Sequence, residues 1–228
     1  LLLLNSPSNP TGAAYTRAEL AALGEVLLAH PRVLIGTDDM YEHIWWAPEP
    51  FSTIAQVVPA LYERTITING VSKSHAMTGW RIGYCGGPRA IVSAMATIQG
   101  QSTSNPSSIS QHAAVTALNG DQLCVATMNE QYKRRHDFVV AGLNALPGVQ
   151  CRTGEGTFYA FADISAAMQA KGLHDDVAFC DALLEQQGVA VVPGSGFGAP
   201  GHMRLSFATD LGSLERALER LRAFLSPA

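Results

Sequence analysis

The chain has 228 residues, 47% of them hydrophobic, enough to bury one or two cores, and this excludes a disordered protein. Fifteen Lys and Arg against nineteen Asp and Glu give a net charge of −4 with no basic run, which argues against nucleic acid and anionic membrane as partners. Charged residues make up only 15%, below the roughly 25% usual for soluble domains, so part of the surface is expected to be covered in an oligomer.

In chain order, Leu1 to Leu4 reads as a buried strand entering a turn-rich loop at Asn5, Ser6 and Pro7. Thr16 and Glu19 form a T-x-x-E capping box, and Leu20, Leu23, Leu27 and Leu28 supply one face of the helix that follows. Strands are predicted at Val33–Gly36, Thr65–Ile68 and Arg81–Cys85, with a helix after Gly86, Gly87 and Pro88 running through Ile98. Strands alternating with helices predict a mostly parallel sheet. From Ile109 the pattern is helical, breaks at Asn119 and Gly120, and resumes from Gln122 to Leu146. Beyond it come strands near Val149–Arg152 and Thr157–Phe161, a helix over Asp176–Gln187, and strands at Val189–Val192 and Met203–Phe207. A last helix carries Leu214, Leu218, Leu221 and Leu225 on one face. The predicted organisation is thus α/β over residues 1–120 and a smaller α+β domain over 121–228 that includes the long connecting helix.

No apolar stretch approaches the roughly 18 residues of a membrane span. Cys85, Cys124, Cys151 and Cys180 form no CxxC pair, so reduced thiols in a cytoplasm are the default expectation. The chain opens on Leu1 with no initiator Met and no leader pattern, and reads as a fragment.

Four clusters bear chemistry, each ambiguous alone. SPSNPTG, Ser6 to Gly12, follows a strand where α/β sheets place ligands, and Asn9 can aim an amide there; an ordinary Pro/Asn/Gly turn is the plain alternative. TDDMYEH, Thr37 to His43, puts two acids at a strand end, where a carboxylate can keep a ring nitrogen protonated, or simply cap a helix. NGVSKSHAMTGWRIGY, Asn69 to Tyr84, holds Lys73 in a loop after a strand and Arg81 shortly beyond; a desolvated lysine becomes a nucleophilic amine and a guanidinium suits a phosphate. HMRLSFA, His202 to Ala208, sets Arg204 inside an alternating strand, where a cation needs an anionic partner, either a substrate carboxylate or an internal acid.

These segments, together with VVPGSGFG from Val191 to Gly198, occur in the order and approximate spacing of the fold-type I, pyridoxal phosphate (PLP)-dependent aminotransferases of the aspartate aminotransferase family, classes I and II, which the whole chain resembles. The resemblance implies the C-terminal part of that fold, with the family's N-terminal arm and first half of the large domain not represented. It implies transamination between an L-amino acid and a 2-oxo acid, with Lys73 the Schiff-base lysine. Asp38 would pair with the pyridine nitrogen, Tyr41 and Asn9 with the ring oxygen, and Arg81 with the cofactor phosphate, while Arg204 and Asn9 would bind the substrate carboxylate. A homodimer in the cytoplasm is the implied state of the full-length enzyme. A PLP-sensing regulatory module and a PLP-dependent lyase are the alternatives.

Two departures from the family stand out. Gly70 occupies a position where many relatives carry a phosphate-binding serine, leaving Ser72 as the candidate, and Asp39 stands where Glu is common. The resemblance further implies that the chain alone is a poor catalyst with exposed apolar surface.

Overall fold

The structure, a computed structural model, describes residues 1–226. It divides into two compact units, Leu1–Pro7 with Ala14–Asn129, and Ser8–Ala13 with the residues from Glu130 on. The sequence places a boundary after residue 120, whereas the units divide between Asn129 and Glu130, inside the long helix.

In the first unit β1 (Leu2–Asn5), β2 (Ile35–Asp38) and β3 (Thr65–Gly70) pair in parallel, and β4 (Gly83–Gly86) adds antiparallel to β3. This is the mostly parallel sheet expected from the alternation. Between β1 and β2 lies α1 (Arg17–Leu28), started by the predicted box: Glu19 N–H donates to Thr16 Oγ1 at 3.2 Å, and Thr16 N–H donates to the Glu19 carboxylate at 2.8 Å. The helix buries Leu20, Gly24 and Leu27, which with Leu4, Ile35, Ile54 and Leu61 form one core. Gly24 is required there, since a Cβ would fall 2.4 Å from Val58 Cγ2. Leu28, expected on this face, is 40% exposed, because it sits roughly 80° around the helix from Leu20.

Further along are α2 (Ile54–Val57), α3 (Val71–Ser74), α4 (Arg89–Ser102), α5 (Ser108–Asn119) and α6 (Leu123–Asn144). Val71, Ile82 and Ala114 make a second small core that seats α3. By contrast α4 buries no residue, and Ile98 and Ile109 are 71% and 80% exposed. The exposed apolar surface expected of the chain is present on this unit.

The second unit is built on an antiparallel sheet of order β5-β6-β8-β7, with β5 (Gln150–Cys151), β6 (Tyr159–Asp163), β7 (Val192–Pro193) and β8 (His202–Ser206). Between β6 and β7 lie α7 (Ser165–Ala170) and α8 (Asp176–Gln187), and α9 (Leu211–Leu225) ends the described chain. Asp175 caps α8 by accepting from Ala178 N–H at 2.7 Å, and Gly188, at φ +64°, ends it. Leu214, Leu218, Leu221 and Leu225 are all buried, as their spacing predicts, and Phe224 meets Phe179 edge-on at 5.3 Å.

β4, β6 and β7 each start later than local pattern suggests. β6 begins at Tyr159 because Thr157 is left-handed, φ +68°, and β4 begins at Gly83 because Arg81 is left-handed, φ +55°. The chain reaches β8 only at Val192, so Val189 serves as a buried apolar plug after the helix cap rather than as strand. Burial pushes the Cys151 and Cys180 thiols up to about 11 and about 12, so both stay protonated and inert near neutral pH.

Candidate functional site

In the first unit, the parallel pairing brings the C-terminal ends of β1, β2 and β3 to one edge, the edge at which α/β sheets bind ligands. Asn5 and Asp38 lie opposite each other there, and Asn5 Nδ2 donates to the Asp38 carbonyl at 3.1 Å. Because β2 runs two residues further than predicted, Asp38 is its last residue and its carboxylate is presented at that edge. Met40 N–H donates to Asp38 Oδ1 at 3.1 Å, which leaves Oδ2 available to a ligand. Tyr41, three residues on, is buried, 4% exposed.

The connection from β3 to β4 carries the other predicted groups of this unit. Its first turn, α3, holds Ser72 and Lys73, both half-buried, above the fully buried Val71. His75 is tied through both ring nitrogens, to Ser74 Oγ at 2.9 Å and to Gln122 Oε1 at 3.2 Å, and acts as a brace for the turn. Arg81 lies just before β4 rather than in it, exposed, with Nη1 donating to Thr78 O at 2.9 Å. A left-handed arginine is strained by about 1–2 kcal/mol. It closes the reversal that sets β4 antiparallel to β3 and turns the guanidinium outward.

Gly70 ends β3 in extended backbone. A Cβ there would sit 2.9 Å from Ile82 O and 3.2 Å from Gly83 Cα, so the close approach of the two strands leaves no room for a side chain. Gly70→Ser is therefore expected to lower stability by roughly 1–3 kcal/mol, read from urea denaturation midpoints, without tightening phosphate binding.

Asp39 has a structural part. It is 3% exposed and accepts from Thr37 Oγ1 at 2.6 Å. Burial pushes its carboxyl above the ordinary value of 3.8, against the Thr37 hydrogen bond and helped by the negative charges of Glu42 and Asp38. The folded state thus binds this proton more tightly than the unfolded state, and stability is lost as pH rises from 3.8 through the raised value. Asp39→Asn keeps the acceptor for Thr37 and removes the charge. It is expected to gain on the order of 1 kcal/mol at pH 7 and nothing below pH 3.8, measured by denaturation at the two pH values.

In the second unit, the sheet brings Arg204 and Asn9 together across 195 residues of chain: Arg204 Nη1 donates to Asn9 Oδ1 at 2.7 Å. Met203 and Leu205 face the core, so Arg204 lies on the opposite face of β8, its guanidinium 4.4 Å from the Tyr159 ring centroid and 4.8 Å from that of Phe197. Arg204 Nε is buried with no hydrogen-bond partner. An unsatisfied buried donor costs about 1–3 kcal/mol. Among the described residues no acid pairs with Arg204, whose Nη1 is bonded to the Asn9 amide instead. Sequence patterning did not single out Phe197 as a ring beside Arg204; only the fold of the Gly194–Phe197 turn brings it there.

A mostly parallel sheet that ends β2 on a carboxylate and carries a lysine just past the end of β3 is the outline of a ligand-binding α/β domain. Comparison gives the family. Residues 1–221 match the family model Aminotransferase class I and II, and the chain belongs to that family. It is 50% identical to aspartate/prephenate aminotransferase of Nitrosomonas europaea, over 99% of this chain and 58% of that protein. It is 55% identical to the enzyme of the same name from Cereibacter sphaeroides, over 97% and 57%. The crystal structure of aspartate aminotransferase from Rhizobium meliloti superimposes with a TM-score of 0.91 at 51% identity, covering 98% of this chain and 57% of that one. The chain therefore spans a little over half the length of the relatives it matches.

Proposed function

We propose that the chain belongs to an enzyme that transfers amino groups between L-amino acids and 2-oxo acids with pyridoxal 5'-phosphate, the cofactor of its family, and that Lys73 is the catalytic amine. The observation that carries this reading is the Arg204 guanidinium, held between two rings with a buried Nε that lacks a partner and with Nη1 already placed by Asn9. A guanidinium placed in this way supports carboxylate binding, because its planar fork matches that group.

The residues present fit the cofactor. Asp38 offers an uncommitted carboxylate oxygen to a protonated ring nitrogen, Tyr41 a hydroxyl to a ring oxygen, and Ser72 and Arg81 a hydroxyl and a guanidinium to a phosphate. When bound, the cofactor supplies an electron sink conjugated with the substrate α-carbon. Arg204 fixes the amino acid by its α-carboxylate, and orientation of the Cα–H bond follows from that anchor. Asn9 sets the guanidinium plane through Nη1, and the rings of Tyr159 and Phe197 exclude water from its faces. Lys73 Nζ would take up the α-proton and return it to complete the transfer.

The names of the relatives favour a dicarboxylic amino acid such as aspartate as donor. A homodimer is favoured by the bare apolar helix α4, and a cytoplasmic setting by four unpaired cysteines and by the lack, among the described residues, of any helix able to span a membrane.

The test is transamination from L-aspartate to 2-oxoglutarate with added pyridoxal 5'-phosphate. It is run on this chain and on the chain completed with the portion of a curated relative that it does not match. Oxaloacetate and glutamate forming in equal amounts in either sample supports the reading. No turnover in both overturns it.

A further inference from the structure

The second unit contains a buried histidine whose hydrogen bonds lead toward Asn9 without reaching substrate. His136, on α6, is 3% exposed. Gly154 N–H donates to its Nε2 at 3.1 Å, so Nε2 carries no proton, and Nδ1–H then donates to Asp137 Oδ1 at 3.0 Å. These two partners set the tautomer. Asp137 also accepts from Lys133 Nζ at 2.6 Å. Partial burial raises its carboxyl, but the bonds from Lys133 and His136 outweigh this and hold it below the ordinary value. The ring meets Phe207, just past β8, edge-on at 6.0 Å.

Gly154 opens a loop that carries the 8–13 segment. Gly12 O accepts from Glu155 N–H at 2.8 Å and from Gly156 N–H at 3.2 Å. A Cβ on Gly154 would lie 3.1 Å from Gly12 Cα, and one on Gly12 would lie 2.9 Å from Gly156 O, so the two backbones touch with no room for side chains. Gly12 N–H donates to Ser8 O and Ser8 N–H to Ala13 O, each at 2.8 Å, closing the turn that bears Asn9. Asn9 Oδ1 in turn receives Arg204 Nη1 at 2.7 Å. Thr157, at the end of the loop, is fully buried at φ +68°, a conformation that persists for a β-branched residue only where its surroundings over-determine it.

We propose that His136 is a positioning residue for carboxylate recognition: by accepting the Gly154 N–H it seats the Gly154–Thr157 loop, the loop seats Gly12, and Asn9 is thereby held against Arg204. This rests on Asn9 and Arg204 being the carboxylate site. Its bonds run to Gly154 and Asp137, and its effect is on where the Asn9 amide lies.

Three variants test it, in the protein with pyridoxal 5'-phosphate bound. His136→Phe keeps ring packing on Phe207 and removes the acceptor. His136→Gln places a carbonyl oxygen near the Nε2 position. Gly154→Ala wedges the loop off Gly12 while leaving His136 intact. Hydrogen–deuterium exchange, which needs no activity, is expected to quicken about tenfold or more in residues 8–13 and 154–157 of His136→Phe and Gly154→Ala, with α8 and α9 unchanged, and to stay near wild type in His136→Gln. In the transamination assay His136→Phe and Gly154→Ala are expected to raise KM for the amino acid about tenfold with kcat within about twofold, and His136→Gln to keep KM near wild type. A merely structural histidine would instead loosen the whole unit and show neither the KM split nor glutamine rescue, and that result overturns the inference. Unchanged exchange at 8–13 and 154–157 also overturns it. Absence of turnover in both this chain and its completed form defeats the proposed function, and the exchange comparison then still decides whether His136 seats the loop.

Discussion

Replacing Lys73 by arginine is expected to lower transamination by at least about 10⁴-fold while leaving the fold intact. The substitution is chosen because it preserves charge and length. Val71 anchors the turn from below, fully buried, and Lys73 itself is half-buried, so the larger head group can be accommodated with a stability change within roughly 0.5 kcal/mol. What arginine cannot do is give up its proton near neutral pH, and a group that stays protonated is neither a nucleophile nor an acceptor for the α-proton. Borohydride treatment of the wild-type protein with pyridoxal 5'-phosphate should fix a pyridoxyl mass on the peptide containing Lys73, and the variant should carry none. Cofactor binding by equilibrium dialysis should weaken without vanishing, because Asp38, Tyr41, Ser72 and Arg81 remain. A variant retaining more than a tenth of the wild-type rate would remove Lys73 from the catalytic role.

Arg204→Ala is expected to cut kcat/KM for an L-amino acid by about 10³-fold with little change in melting temperature. Two charge-assisted hydrogen bonds, each about 1.5–3 kcal/mol, are lost to the substrate carboxylate. On the stability side, contacts with the Tyr159 and Phe197 rings, roughly 0.5–2 kcal/mol, are given up, but so is the buried Nε that lacks a partner, a relief of about 1–3 kcal/mol. The near-cancellation separates a binding arginine from a structural one, since a structural arginine would cost stability first. Arg204→Lys should recover only part of the loss, because an ammonium has no fork to match a carboxylate. Comparing an amino acid with the amine that lacks its carboxylate adds a control: wild type should favour the acid strongly, and Arg204→Ala should not. Equal preference in both proteins, or a kcat/KM within about fivefold of wild type, would show that Arg204 does not hold the carboxylate.

Local signals carried much of the secondary structure. The Thr16–Glu19 box, the Asp176–Gln187 helix and the leucine face of α9 appear where composition and period place them, since each depends on neighbours within one or two turns. Strand limits shifted at Arg81 and Thr157, where left-handed backbone is imposed on residues that do not favour it locally. Nothing in a window of sequence announces such positions, because the surrounding chain forces them.

The sequence by itself determined which chemical groups the protein possesses and their order: the Asp38, Tyr41, Lys73, Arg81 and Arg204 side chains in motifs specific enough to indicate the family. Only the tertiary structure decided how those groups are presented. It extended β2 so that Asp38 ends the strand with one carboxylate oxygen in use, excluded a side chain at Gly70 by the approach of β4, and buried Arg204 Nε without a partner. It also joined His136 to Gly154 and Asn9 to Arg204. The reason is physical: residue type and short-range pattern set what a group can do, whereas burial, strand register and hydrogen bonds between distant segments exist only once the chain has packed, and those decide which donors and acceptors remain for a ligand.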